Sequence, residues 1–130
     1  MGLQVAYLFA DEDGETHFAD LDLVADIQPA ESTVSLFVVP TTSMSYVEYP
    51  AGELEIMPGF HPTPSRHFIT PLQGAFEVTT TTGERRVIRQ GDWILFDDMD
   101  SKGHTTKGVG ADRRINLLIS IADEWKVPRS

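Results

Sequence analysis

The sequence contains no cysteine, which excludes disulfide frameworks, thiolate metal sites and cysteine nucleophiles, and requires any bound metal to be held by histidine and oxygen ligands. Basic residues are scarce. Ten Lys and Arg stand against twenty Asp and Glu, and the net charge of −10 repels phosphate backbones and anionic lipid surfaces alike, so neither nucleic acid nor membrane is expected as a partner. No segment approaches the roughly 20 apolar residues of a membrane-spanning helix, and Met1-Gly2-Leu3-Gln4 lacks the basic start and apolar stretch of a secretion signal. The expected location is cytoplasmic. Internal repeats, low-complexity runs, a Gly-x-Ser-x-Gly element, a P-loop and a dinucleotide fingerprint are all missing, so serine hydrolase, nucleotide and NAD chemistries find no support.

What is present describes one compact domain, 1–130. The 130 residues, 41% hydrophobic and 23% charged, suit a single soluble core. Helical spacing of apolar residues is not sustained anywhere, whereas short β-branched and aromatic runs recur between turn signals, so the fold class is all-β. Ten runs are expected as strands: Gln4 to Phe9, Thr16 to Val24, Thr33 to Val39, Met44 to Tyr49, Leu54 to Met57, His67 to Leu72, Ala75 to Thr80, Arg85 to Arg89, Trp93 to Phe96 and Arg113 to Ile121. Asp11-Glu12-Asp13-Gly14 makes a hairpin of the first two, over 3–24, and Pro29 to Thr33 reads as a surface loop. Turns at Gln73-Gly74 and Thr82-Gly83 predict an antiparallel meander over 67–96. Ten short strands call for a sandwich or barrel.

Of the four histidines, His61 and His67 lie six apart at the start of this meander and His104 follows its last strand. A neutral imidazole is the commonest ligand of divalent transition metals, and three protein ligands with an open position is the arrangement of a catalytic metal. Strand alternation puts His67, Ile69 and Pro71 on one face and Arg66, Phe68 and Thr70 on the other. Arg66 is therefore a rim or surface residue, its rival role being a clamp for a substrate carboxylate. His17 is read as a structural histidine, with the barrel interior as the alternative. Tyr46 and Glu48 share a strand face and form a candidate acid–base pair. Asp97-Asp98-Met99-Asp100 lacks the glycine and terminal Glu of a calcium loop and reads as a solvated turn.

Over roughly Gly52 to Ile121 the residues resemble the cupins, whose two motifs lie on neighbouring strands. His61-Pro62-Thr63, His67 and Gly74 match the first motif, with His61 in the first His place, Thr63 in the second and His67 in the Glu place, while Glu55 stands where the leading glycine belongs. Gly91-Asp92-Trp93-Ile94-Leu95-Phe96 opens the second, and His104 fills its His place after a loop about two residues longer than usual. Asp97 replaces its Pro and Gly108 its Asn. The string from Gly91-Asp92 through Asp97-Asp98 to Lys102-Gly103-His104, with Asp13-Gly14-Glu15-Thr16-His17-Phe18, is similar to a group of small single-domain cupins in which the place of His67 is often Gln. The resemblance implies a jelly-roll barrel with His61, His67 and His104 holding one divalent transition metal, Zn, Ni, Fe or Cu rather than Mn. It also implies a metal-dependent enzyme acting on a small organic molecule, of isomerase, lyase/dehydratase or dioxygenase type. The alternatives are a metal-free small-molecule-binding or sensor module of the same fold, and a β-sandwich whose histidines merely pack. Dimers are common among single cupin domains, so a homodimer is the expected assembly if there is one.

Overall fold

The computed structural model describes residues 2–24, 38–52 and 59–128. These form nine strands: β1 (Gly2–Ala10), β2 (Thr16–Val24), β3 (Thr41–Tyr49), β4 (His67–Gln73), β5 (Ala75–Thr80), β6 (Arg85–Ile88), β7 (Ile94–Asp97), β8 (His104–Val109) and β9 (Arg114–Ile121). Among the described residues no helix is long and apolar enough to cross a membrane. A six-stranded sheet of order β2-β1-β7-β4-β9-β3 faces a three-stranded sheet of order β6-β5-β8. The predicted runs 33–39 and 54–57 fall wholly or mostly outside the described residues.

The β1–β2 hairpin forms as expected. Gly14 takes the left-handed conformation its turn requires (φ 82°), and the Asp11 side chain accepts the backbone N–H groups of Asp13 and Glu15. Of the meander only the β5–β6 hairpin at Thr82-Gly83 forms. β4 pairs antiparallel with β7 and β9, whereas β5 pairs with β6 and β8, so the chain crosses from one sheet to the other at Gln73-Gly74. A bulge between Pro71 and Gln73, where proline offers no ladder donor, and the left-handed Gly74 (φ 78°) turn the chain out of the first sheet. That crossover makes the double-sheet jelly roll in place of a flat meander. β8 was not foreseen in the sequence, since Lys107-Gly108 interrupts its β-branched pattern.

Two apolar layers hold the sheets. Leu8, Phe18, Ile69, Ile94 and Phe96 of the large sheet meet Phe76, Val78 and Ile88 of the small one, filling the interior at one end. Each such side chain contributes on the order of 1.5–3 kcal/mol when fully buried. On the outer face of the large sheet Val5, Tyr7, Leu21, Leu23, Phe68, Leu95 and Ile121 form a second layer, against which Trp93, Trp125 and Val127 pack. The inward row of β9, Arg114, Asn116 and Leu118, and that of β8, His104, Thr106 and Gly108, carry polar groups into the part of the interior this apolar core leaves open.

Candidate functional site

That open part is a cavity of about 270 Å³ lined by Tyr49, His61, Thr63, His67, Thr106 and Asn116 together with the apolar Ile69, Phe76 and Phe96, and by His104. His61, His67 and His104, three separate points of the sequence, thus share one wall.

His104 opens β8, and His61 is held beside it by a two-way backbone bridge in which each N–H donates to the other's carbonyl at 3.0 Å. Their ring centroids are 4.9 Å apart. The closeness of this bridge depends on Gly103, where a Cβ would lie 2.2 Å from the His61 carbonyl carbon. His67 opens β4 and stacks on Phe96, whose ring also lies against His104.

Each of the three Nδ1 atoms is tied to an oxygen. His104 Nδ1 lies 2.5 Å from Asp98 Oδ2, His67 Nδ1 lies 2.8 Å from the Ser65 carbonyl, and His61 Nδ1 lies 3.3 Å from the Gly59 carbonyl. Carbonyl and carboxylate oxygens only accept, so in the neutral rings Nδ1 carries the hydrogen and Nε2 is left with the lone pair. Thr63 supports two of these anchors: its hydroxyl donates to the Ser65 carbonyl at 2.7 Å and its N–H donates to Asp98 Oδ1 at 3.4 Å. Burial holds the His67 imidazole below the ordinary histidine value, which favours its neutral, lone-pair form. Burial likewise pushes the Tyr49 hydroxyl up, so it stays a donor.

In kind and tautomer the three imidazoles fit a divalent transition metal, since ligating histidines characteristically give their second nitrogen to a carboxylate or carbonyl. Among the described residues, however, no three His, Asp or Glu side chains already stand as a ligand cluster. His61 and His104 form a bridged pair, and His67 and His104 both lie against Phe96.

Several sequence expectations need correction. Tyr46 and Glu48 do share a face of β3, but it is the outer one: Tyr46 is 58% exposed, and Glu48 lies at the surface beside Arg113. They pair in register with Leu117 and Ile115, which point away from the cavity, whereas the intervening Val47 and the following Tyr49 pair with Asn116 and Arg114. Tyr49 is the cavity residue of this strand. The Asp97–Asp100 segment is not a solvated turn throughout, because Asp98 is fully buried beneath His104 and the Tyr7 hydroxyl donates to Asp97 at 2.7 Å. Arg66 is no clamp, since its Nη2 donates to the carbonyls of Ala122, Asp123 and Trp125. His17 stays outside the cavity, bonded to Asp11 at 2.7 Å and stacked on Phe9, as the structural reading expected. Tyr49, Asn116 and Arg114 were not singled out from the sequence, and Asp98 was named there only as part of a solvated turn. Only Asp98 carried a signal there, an acidic residue six before His104 in the same loop.

The strand order defines an all-β jelly-roll barrel of two facing sheets. No family model and no curated protein matches the sequence. Among solved structures the chain is similar to the protein NMB1881 of Neisseria meningitidis (16% identity, 61% of this chain and 72% of that one, TM-score 0.43). It is similar also to a cupin protein, BF4112, of Bacteroides fragilis (16% identity, 79% of this chain and 93% of that one, TM-score 0.43). A third is a putative ethanolamine utilization protein of Salmonella typhimurium (14% identity, 95% of this chain and 99% of that one, TM-score 0.41).

Proposed function

We propose that the chain is a metal-dependent enzyme acting on a small organic molecule in the barrel cavity, with Nε2 of His61, His67 and His104 as the ligating atoms for one divalent transition metal, Zn, Ni, Fe or Cu. The observation that carries this reading is the shared anchoring of the three Nδ1 atoms to Asp98, Ser65 and Gly59, which presets each Nε2 as an acceptor in one cavity. A bound ion supplies Lewis acidity or oxygen activation. The chain's own contribution is a largely apolar wall of Ile69, Phe76 and Phe96 that excludes water, with the Tyr49 hydroxyl as a donor to the bound molecule.

Elemental analysis of the purified protein tests the reading, with up to one metal per chain expected and a severe loss in His61→Ala and in His104→Ala. If no metal is found, and Zn, Ni, Fe and Cu bind wild type no better than the double variant, the metal is not part of the function. The second reading, a metal-free small-molecule-binding module using the same cavity, rests on the absence, among the described residues, of three side chains standing as a ligand cluster.

A further inference from the structure

We propose that the cavity wall selects an uncharged organic molecule about one ring in size, with an apolar body and a single hydroxyl or carbonyl oxygen. This rests on the cavity being a ligand site and adds the class of the ligand.

Inward residues from both sheets make the apolar part of the wall. Ile69 of β4 and Leu118 of β9 are partners in register in the large sheet, and both belong to the apolar cluster that includes Phe76 of β5 in the small one. Phe96 of β7 belongs to the same cluster and has His67 and His104 against its ring, at centroid distances of 5.0 and 4.8 Å. Size sets one limit. A closed cavity of about 150 Å³ lined by Leu, Ile and Phe accommodates benzene, whereas drug-sized ligands take about 300–1,000 Å³. At about 270 Å³ this cavity suits a ring with a short substituent and excludes a nucleotide.

Charge sets the other. None of the described residues lining the cavity is Asp, Glu, Lys or Arg, and the polar groups of the wall are hydroxyls, the Asn116 amide and the imidazoles. The buried charges behind the wall offer no partner. Asp98 is engaged with His104, and Arg114 packs behind Tyr49 and Gly108 with its open nitrogens buried. A carboxylate or an ammonium entering here therefore loses its hydration without gaining a counter-charge. For a cation, contact with an aromatic face returns less than desolvation removes. A hydroxyl or carbonyl gives up far less, and one hydrogen bond to Tyr49 or Thr106 replaces what it loses.

The test is an amide NMR titration of isotope-labelled protein at about pH 8, where free imidazoles, of pKa about 6.5, are neutral, with a chelator present so that no metal supplies the missing counter-charge. The probes are benzyl alcohol, sodium benzoate and benzylammonium chloride, which share a ring and differ in charge, and glycerol, which has hydroxyls but no apolar body. Benzyl alcohol is expected to give saturable shifts at Ile69, Phe76 and Thr106, with both charged probes about tenfold weaker or worse because each enters without a partner. Leu118→Lys places a cation on the wall and should reverse the order of benzyl alcohol and benzoate. If that variant does not fold, the ranking of the probes by wild type decides alone. The proposal is overturned if benzyl alcohol gives no saturable shifts at the cavity, if benzoate, benzylammonium or glycerol binds there as tightly, or if a folded Leu118→Lys keeps the wild-type order. Absence of metal from wild type removes the metalloenzyme reading and leaves the benzyl alcohol shifts intact. A protein that purifies with metal but prefers a charged probe, or binds none, in this titration removes the proposal alone.

Discussion

His104 Nδ1 and Asp98 Oδ2 are 2.5 Å apart, the His104 side chain is 5% exposed and that of Asp98 not at all. A hydrogen bond this short between groups this buried fixes both the ring orientation and the tautomer of His104. Asp98 is itself held from other sides, by the Thr63 N–H at its Oδ1 and the Ser101 hydroxyl at its carbonyl. The loop 98–104 thus works as a bracket whose one output is the direction of His104 Nε2.

Asp98→Asn preserves the side-chain volume but replaces a charged acceptor with an amide, whose NH₂ can oppose the Nδ1 hydrogen. Zinc titration should show affinity reduced about 10- to 100-fold, the range found when a carboxylate supporting a ligating histidine is lost. Equal affinities would mean that His104 is oriented by the backbone bridge to His61 alone. Asp98→Ala should be worse for folding as well, by about 1–3 kcal/mol, since it leaves the buried Nδ1–H of His104 without an acceptor.

The His67 imidazole is depressed by burial below 6.5, its ordinary value, with the hydrogen bond to Ser65 opposing the shift only in part. The folded state therefore prefers the neutral ring. Its contribution to stability is fully present above pH 6.5, and is lost as pH falls from there through the lower folded-state pKa, where the unfolded chain binds the proton first. Urea unfolding in the presence of a chelator should show wild type losing more stability between pH 7.5 and 5.5 than His67→Gln does. Identical losses would place the titration elsewhere. In zinc titrations His67→Gln should retain affinity that His67→Ala loses, because an amide oxygen can replace an imidazole in part.

Much of this fold was legible because alternation survives wherever a strand has one wet face. His67, Ile69 and Pro71 turn inward and Phe68 outward as the period of two requires, and Phe76, Val78 and Thr80 bury together. The same rule placed Tyr46 with Glu48 correctly but could not say which face of β3 was inside, since Ser45, Val47 and Tyr49 alternate just as well. Arg114 was hidden for a different reason. The inward row Arg114, Asn116, Leu118 is the more polar side of β9, and a sequence reading assigns the more polar side to solvent. The crossover at Gly74 was missed because a glycine turn between two strands looks the same whether they pair with each other or part into opposite sheets.

Gly103 and Gly83 offer a controlled pair. Both have positive φ, 88° and 89°, so an alanine at either pays the same backbone strain, on the order of 1 kcal/mol. Nothing lies within 4 Å of a Cβ at Gly83, whereas at Gly103 the backbone of His61 and Pro62 lies 2.2 to 2.5 Å away. Gly103→Ala must push the His61 segment off β8. Chemical denaturation should find it clearly less stable than Gly83→Ala, and metal titration should find only the former impaired. Equal behaviour of the two variants would show that the His61–His104 bridge is dispensable to the site.

Arg66 links the end of β9 to the segment that follows it. Its Nη2 lies 3.1, 3.2 and 2.7 Å from the carbonyls of Ala122, Asp123 and Trp125, and its guanidinium carbon lies 5.9 Å from the Trp125 ring centroid. Trp125 in turn tilts against Phe68 at 6.0 Å in the outer apolar layer. Hydrogen bonds from a charged donor contribute about 1.5–3 kcal/mol each when sheltered, but three acceptors sharing one partly exposed nitrogen do not add. Arg66→Ala should therefore lose about 1–3 kcal/mol in urea unfolding, and Trp125 should become more accessible to an aqueous fluorescence quencher. Because Arg66 points away from the cavity, metal content should be unchanged. A variant that kept full stability but lost its metal would reverse the assignment, placing Arg66 at the cavity.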